Sequence, residues 1–289
     1  MSEVNNYPKS VQPQKQDKQP GVEAIMNPKP IFDDPNYIGS NKLNGKVAVI
    51  TGGDSGIGRA IAVAFAKEGA DIAIIYRDEH EDAEYTKSII EGKDRKCFLI
   101  PGDISDVAFC NNAINKAVSD LRKIDILVNN AAVQYPQNSI EDITDQQLDK
   151  TFKTNIFSMF YLTRAVMPHF KPGCCIINTT SITAYKGHET LIDYSSTKGA
   201  VVSFTRSLAL NLVARNIRVN AVAPGPIWTP LIPSSFSAEE VGKFGKDNPS
   251  GRPGQPAELA PTYVFLASDD STYVTGQVIH VDGGAFRSS

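Results

Sequence analysis

The sequence lacks the long apolar runs and the excess of basic residues that mark several protein classes. No run approaches the roughly 18 apolar residues of a membrane helix, and the first residues contain no apolar signal-peptide segment. The formal net charge of -3 and the pI of about 5.9 argue against a nucleic acid or membrane partner, because both require a basic surface. The sequence therefore predicts a cytoplasmic protein that acts on small molecules.

Cysteine and histidine are also scarce. The four cysteines have no CxxC or zinc-ligand spacing, and the four histidines form no HExxH pattern. Free thiols in a reducing compartment are the simplest interpretation of this pattern. The sequence predicts no metal site.

The first 41 residues are rich in proline, glutamine, lysine and asparagine. The recurring prolines oppose regular helices and central strands, so residues 1–41 are predicted to form a polar extension. We expect it to be partly disordered until it meets the body or a neighbouring subunit. Residues 42–289 are predicted to form a single folded domain.

Short β-branched apolar runs then alternate with longer amphipathic segments. Continuous apolar strands separated by helices indicate a parallel sheet that is covered on both faces. Right-handed crossovers give a doubly wound (Rossmann) α/β fold, whose ligands bind beyond the carboxyl ends of the strands. The predicted strands cover residues 46–50, 71–76, 97–103, 124–131, 174–181, 218–225 and 278–284.

A glycine-rich turn, TGGDSGIG, follows the first predicted strand and precedes a helix. Glycines permit a tight turn and a close approach to a pyrophosphate, which the helix amino terminus stabilises. This placement predicts a dinucleotide site, although glycines also serve ordinary turns. The predicted cofactor-binding residues of this turn are Gly52, Asp54, Ser55, Gly56, Ile57 and Gly58.

The end of the second strand bears on which dinucleotide binds. Tyr76 and Arg77 stand where NAD-binding proteins usually carry an acidic residue for the ribose 2'-hydroxyl. A guanidinium suits a 2'-phosphate, so NADP(H) is favoured over NAD(H). Two alternatives stay open: Asp78 and Glu79 could bind hydroxyls or repel a phosphate, and Arg77 could be a solvated loop charge.

Tyr194 and Lys198 lie four residues apart in the stretch DYSSTKGA. If this stretch is helical, the two side chains lie on one face and can point into one pocket. Such pairs are also common on solvated helices.

Together, TGGDSGIG, NNAA at residues 129–132, Asn155, Ser181, YSSTK at residues 194–198 and the Pro224-Gly225 pair resemble the short-chain dehydrogenase/reductase family. The resemblance extends from about residue 42 to the carboxyl end. It is closer to bacterial oxidoreductases related to glucose dehydrogenases and described as general stress proteins, several with a polar amino-terminal extension. It implies a sheet of about seven parallel strands and a homotetramer built on the helix after Lys198. It also implies NAD(P)-dependent oxidation of a CH-OH group or reduction of the corresponding carbonyl group.

The resemblance also implies catalytic roles. Tyr194 matches the acid/base, Lys198 the lysine that binds the nicotinamide ribose, Ser181 the donor to the substrate carbonyl, and Asn155 the holder of a water near the lysine. An unperturbed tyrosine has a pKa of about 10. We therefore expect the Lys198 ammonium and the oxidised nicotinamide to shift the pKa of Tyr194 toward neutrality.

Further cofactor contacts are implied at other strand ends. Asp103 and Ile104 are expected beside the adenine, although Asp103 could instead cap a helix. Asn130 and Ala131 are expected near the adenosine ribose, with a plain strand-end turn as the alternative. The residues expected around the nicotinamide are Pro224, Gly225, Ile227 and Thr229.

Residues 228–253 mix apolar side chains with proline and glycine, which predicts a mobile lid over the substrate or else a long connection. Polar Gln134 and His188 would permit a sugar, whereas Trp228 and Phe236 would permit an apolar ketone. The predicted function is a carbonyl reductase or secondary-alcohol dehydrogenase. The alternative is a dinucleotide-sensing regulator without turnover on the same fold.

Overall fold

In the computed structural model, which describes residues 7–287, parallel strands form one sheet in the order β3-β2-β1-β4-β5-β6-β7. This order confirms the predicted doubly wound α/β fold, and each strand lies within or beside its predicted segment. Strands are added outward from β1 on one side and, from β4 onward, on the other, so the strand order switches between the parallel neighbours β1 and β4 and leaves a ligand crevice at their carboxyl ends. The strands are β1 Val47–Thr51, β2 Asp71–Tyr76, β3 Cys97–Pro101, β4 Ile126–Asn129, β5 Cys175–Thr179, β6 Arg218–Pro224 and β7 Val278–Val281.

Helices cover both faces of the sheet. A π-helix at Lys153–Phe157 separates α4 from α5, and single 3-10 turns occur at Glu23–Ile25, Ile140–Asp142, Val213–Arg215 and Asp269–Ser271. The α-helices are α1 Gly56–Lys67, α2 His80–Glu91, α3 Val107–Leu121, α4 Asp145–Phe152, α5 Ser158–Val166, α6 Thr183–Lys186, α7 Ile192–Leu212, α8 Ala238–Lys243 and α9 Pro256–Ala267.

The central strand β1 shows why each strand is a continuous apolar run in the sequence. Ala48 and Ile50 pack on the face covered by α1 and α9, whereas Val47 and Val49 pack on the face covered by α3, α5 and α7. Successive side chains of a strand point to opposite faces, so a sheet covered on both sides needs apolar residues at every position. Truncating Ile50 to alanine would cost about 2–5 kcal/mol of stability.

The segment before β1 lies against the folded domain over residues 7–41. Met26 packs against the fully buried Trp228, whose Nε1 donates to the Pro28 carbonyl oxygen at 2.8 Å. Near the end of the segment, the backbone N–H of Ser40 donates to the Glu68 carboxylate at 2.9 Å. Its polar composition did not predict these contacts, and the part of the expected extension at residues 1–6 lies outside the described residues.

The cysteines are all buried and free. Burial raises the pKa of Cys97, Cys110 and Cys175 to about 12, so these thiols stay protonated and inert. Across residues 7–287, no group of three or more His, Cys, Asp or Glu side chains could hold a metal ion. No helix within that range is long and apolar enough to cross a membrane.

Candidate active site

A cleft of about 650 Å³ lies beyond the carboxyl ends of the strands. It brings together nearly all residues that the sequence predicted for catalysis or cofactor binding. The exceptions are Asn155 and Gly58, which do not line it. The predicted residues that line it are Gly52, Asp54, Ser55, Gly56, Ile57, Tyr76, Arg77, Asp103, Ile104, Asn130, Ala131, Ser181, Tyr194, Lys198, Pro224, Gly225, Ile227 and Thr229.

Tyr194 and Lys198 lie one turn apart on α7 and face the cleft together. Their exposed fractions are 8% and 1%. Lys198 Nζ donates to the Thr179 carbonyl oxygen, at the end of β5, at 2.9 Å and lies 5.5 Å from the centre of the Tyr194 ring. The ammonium group has three donors, so two remain for other acceptors such as ribose hydroxyls.

The acid-base state of this pair differs from the sequence-based expectation. Burial raises the pKa of Tyr194 to about 12, although a hydrogen bond with Ser181 acts in the opposite direction. Burial lowers the pKa of Lys198 to about 7. Loss of water disfavours the charged form of each group and outweighs the expected effect of the lysine on the phenol. A neutral phenol is the form that can donate a proton.

Ser181 follows β5 and is oriented by its neighbour Thr183. Both the backbone N–H and the hydroxyl of Thr183 donate to Ser181 Oγ at 3.1 Å. A serine hydroxyl accepts two hydrogen bonds and donates one, so its own proton remains for a partner in the cleft. The arrangement suits a carbonyl oxygen that gains negative charge.

Asn155 lies in the π-helix, a distortion that is common at functional sites. Its amide pairs with the backbone of Val133: Oδ1 accepts from the N–H and Nδ2 donates to the carbonyl oxygen, both at 2.8 Å. Nδ2 also donates to Thr197 Oγ1 on α7 at 3.2 Å. Asn155 therefore ties the chain after β4 to α7 from outside the cleft.

The glycine-rich turn has the shape that a pyrophosphate needs. A Cβ on Gly58 would lie 1.8 Å from the Gly52 carbonyl oxygen, and Gly52 and Gly56 have φ angles of +65° and +51°. Only glycine fits the packing at Gly58, and glycine adopts the positive φ angles at Gly52 and Gly56 without a steric cost. Burial also raises the pKa of Asp54, which lies beside the α1 amino terminus. The turn therefore fits the phosphates of a dinucleotide.

Asn130 acts as a tie between strand ends. Its backbone N–H donates to Thr51 Oγ1 at 2.9 Å, and its Nδ2 donates to the Thr51 carbonyl oxygen at 3.1 Å. Its Oδ1 accepts from Thr179 Oγ1 at 3.3 Å. Asn130 thus holds β1, β4 and β5 together at the mouth of the cleft.

Arg77 and Asp103 face each other at the far end of the cleft. Arg77 Nη2 lies 3.4 Å from Asp103 Oδ2, and both side chains are about two-fifths exposed. Tyr76, the residue before Arg77, is buried, and its hydroxyl lies 2.8 Å from His80 Nδ1. The guanidinium is held beside the cleft but stays accessible to a ligand.

Comparisons with known proteins agree with this geometry. Residues 52–285 match the family model described as enoyl-(acyl carrier protein) reductase. General stress protein 39 of Bacillus subtilis (strain 168) is 60% identical over 281 residues, which cover 97% of this chain and 98% of that protein. The chain belongs to the short-chain dehydrogenase/reductase family.

Two further similar proteins are described together with a nicotinamide cofactor. The chloroplastic NADPH-dependent aldehyde reductase 1 of Arabidopsis thaliana is 50% identical over 279 residues, 94% of this chain and 97% of that protein. The structure of the 3-ketoacyl-(acyl-carrier-protein) reductase from Brucella melitensis complexed with NADH has a TM-score of 0.77 and 36% identity. The match covers 84% of this chain and 99% of that one.

The dehydrogenase/reductase site also contains residues that sequence reasoning missed, from the segment before β1. Pro20 and Gly21 line the cleft, and Gln19 pairs with the backbone of Gln134 after β4. Gln19 Nε2 donates to the Gln134 carbonyl oxygen at 2.7 Å, and Oε1 accepts from its N–H at 3.2 Å. No local motif marks these residues, because their role depends on contacts more than a hundred positions away.

Glu23 anchors the same segment behind the glycine-rich turn. Its carboxylate accepts from the Gly56 N–H at 2.6 Å and pairs with Arg59 on α1. The Arg59 guanidinium also contacts Asp82 and lies 5.3 Å from the centre of the Phe32 ring. Burial raises the pKa of Glu23 to about 7, while Arg59 and the Gly56 N–H oppose the rise.

Residues 228–253 lie between the cleft and this segment. Leu231, Ile232 and Phe236 line the cleft, while the Gln16 N–H donates to the Pro233 carbonyl oxygen at 2.7 Å on the outer side. The predicted lid is therefore in contact with the amino-terminal segment. His188 also lines the cleft, and burial lowers its pKa.

Proposed function

We propose that the chain reduces a carbonyl compound, or oxidises the corresponding alcohol, with NADP(H) as the preferred cofactor and Tyr194 as the acid/base. The observation that carries this proposal is the convergence of Tyr194, Lys198 and Ser181 on one cleft next to the glycine-rich turn. We assign residues 42–289 to the dinucleotide-binding domain and residues 1–41 to the amino-terminal extension.

The proposed chemistry divides between cofactor and protein. When bound, the nicotinamide supplies or accepts the hydride. Tyr194 donates its phenolic proton to the carbonyl oxygen in reduction, and Ser181 donates a hydrogen bond to the same oxygen. Lys198 binds the ribose hydroxyls with the donors that Thr179 leaves available. In alcohol oxidation the phenol must first lose its proton, which its raised pKa opposes in the free protein.

The preference for NADP(H) is supported by Arg77 at the end of β2 and by an NADPH-dependent relative. The guanidinium is accessible and can bind a 2'-phosphate in place of its contact with Asp103. Asp103 and Ile104 would flank the adenine of a bound cofactor, while Pro224, Gly225, Ile227 and Thr229 would enclose its nicotinamide end.

The substrate class is an aldehyde or ketone with both polar and apolar parts. Polar Gln134 and His188 line the cleft together with Leu231 and Phe236, so neither a fully polar nor a fully apolar molecule matches the whole surface. The proposal of turnover, rather than dinucleotide sensing, is supported by the complete set of tyrosine, lysine and serine.

A homotetramer is the proposed assembly, in line with the family. Phe160 on α5 is 47% exposed and packs against Phe204 on α7, with ring centres 4.4 Å apart. Leu210, also on α7, is 80% exposed. Exposed apolar side chains on adjacent helices favour burial against another subunit. Sedimentation equilibrium should give four times the 31.4 kDa chain mass, and a monomeric mass would exclude this assembly.

The proposed activity is tested with purified protein, NADPH or NADH, and a panel of aldehydes, ketones and sugars, with absorbance of the reduced nicotinamide as the readout. Alcohols and polyols are assayed with the oxidised cofactors. We expect turnover of a small aldehyde or ketone and a lower KM for NADPH than for NADH. Cofactor binding without turnover across the panel would favour the sensing role.

A further inference from the structure

The amino-terminal segment brings a positive charge to the end of β2. Lys18 Nζ lies 2.7 Å from Asp78 Oδ2 and 3.6 Å from Glu79 Oε1. These two acidic residues directly follow Arg77, the residue proposed to bind the 2'-phosphate. The contact links the amino-terminal segment to the residues beside Arg77 at the end of β2.

The surrounding contacts hold this lysine in place. Pro20, two residues further on, lines the cleft together with Arg77 and Glu79. Gln19 is fixed by its pair of hydrogen bonds to the Gln134 backbone. The backbone next to Lys18 therefore has little freedom, although the side chain itself is more than half exposed.

The charges near Arg77 balance only when Lys18 is counted. Burial raises the pKa of Glu79 to about 8, so this carboxyl is mainly uncharged at neutral pH. A hydrogen bond from Glu79 and the contact with Lys18 lower the pKa of Asp78, which therefore stays ionised. The positive charges of Lys18 and Arg77 then offset the negative charges of Asp78 and Asp103, and without Lys18 the group is negative.

We propose that Lys18 determines cofactor selectivity by neutralising Asp78 beside Arg77, so that a 2'-phosphate can bind there. A phosphate monoester carries about 1.5 to 2 negative charges at neutral pH, whereas a 2'-hydroxyl carries none. Removal of Lys18 therefore weakens the binding of NADP(H) and leaves the binding of NAD(H) almost unchanged. This inference rests on the proposed nicotinamide site, and Lys18 acts in it as a positioning residue through Asp78.

The test compares dissociation constants for NADPH and NADH in wild type and in Lys18→Gln, by calorimetry at low and high salt. The expected result is about threefold to tenfold weaker NADPH binding at low salt, a smaller loss at high salt, and NADH binding within about twofold. Lys15→Gln is the matched control, because it removes the same charge from the same segment but from a pair with Asp17. Lys18→Arg keeps the positive charge and should bind NADPH as tightly as wild type.

A double-mutant cycle with Asp78→Asn tests the route of the effect. In that background Lys18→Gln should weaken NADPH binding clearly less than it does in wild type, because no Asp78 charge is left unneutralised. An equal loss for both cofactors, or the same loss in Lys15→Gln, would overturn the inference. If the selectivity shift is observed but no substrate is turned over, only the catalytic proposal fails; if the wild type binds neither cofactor, both proposals fail.

Discussion

Lys198 Nζ lies 5.5 Å from the centre of the Tyr194 ring, and burial moves the pKa values of the two groups apart, that of the phenol upward and that of the ammonium downward. The phenol becomes a weaker acid, and the ammonium becomes a stronger one. Both changes follow from loss of water, which disfavours a charge on either group. The free protein therefore contains a protonated phenol beside an amine that titrates near neutral pH.

Replacing Tyr194 by phenylalanine tests the proton donor. The change removes only the hydroxyl, so the aromatic ring is retained and Lys198 keeps its hydrogen bond to the Thr179 carbonyl oxygen. We expect kcat to fall by about a thousandfold, since positioned acid/base groups contribute about 10² to 10⁴. The NADPH dissociation constant should stay within about twofold. Steady-state kinetics and calorimetry measure both, and retained turnover would refute the assignment.

Lys198→Met should stabilise the free protein and inactivate it. The folded-state pKa of Lys198 is about 7 instead of 10.5, so the folded chain binds fewer protons than the unfolded chain between these values. The stability of the wild type therefore rises with pH across this window, and the lysine destabilises most at and below pH 7. Urea unfolding without cofactor should show a larger gain for the variant at pH 6.5 than at pH 9.5. An equal gain at both pH values would contradict the lowered pKa.

Ser181→Ala should lower kcat by about 10² to 10³, the usual cost of losing one donor to a developing oxyanion. Thr183→Val offers a graded comparison, because Ser181 then keeps its hydroxyl and one of its two orienting donors. We expect this variant to lose about tenfold or less. Single-turnover kinetics separates these effects from product release, and equal losses in the two variants would argue against Ser181 as the donor.

Glu23→Ala should destabilise the protein by about 3 kcal/mol, because it breaks a buried ion pair with Arg59 and leaves the Gly56 N–H without its acceptor. Denaturant unfolding measures the loss, and limited proteolysis should detect easier cleavage within residues 7–41. Glu239→Ala is the control, because Glu239 is exposed and pairs with Lys243 on the surface. Its effect on the free energy of unfolding should be much smaller than that of Glu23→Ala, because water screens an exposed ion pair. Equal effects of the two substitutions would show that Glu23 is no anchor.

Local sequence patterns were sufficient for the sheet and for most of the cleft. Each strand is a short apolar run whose residues pack on both faces, as β1 shows. That pattern can be recognised in the sequence without knowing which elements pack against the strand. The ends of parallel strands meet at one edge of a sheet, so motifs that follow β1, β4, β5 and β6 had to converge. The spacing of Tyr194 and Lys198 predicted that both lie on one face of a helix, and both residues lie on α7 and line the cleft.

The sequence by itself determined the fold, the family and the chemical groups at the site, because these depend on periodicity and on motifs within a few residues. Only the tertiary structure decided the acid-base states of Tyr194 and Lys198, since a pKa depends on how much water the whole surrounding fold excludes. It also decided the position of the amino-terminal segment. The contacts of Gln19 with Gln134 and of Glu23 with Arg59 join distant positions, and a polar, proline-rich composition carries no signal for such partners.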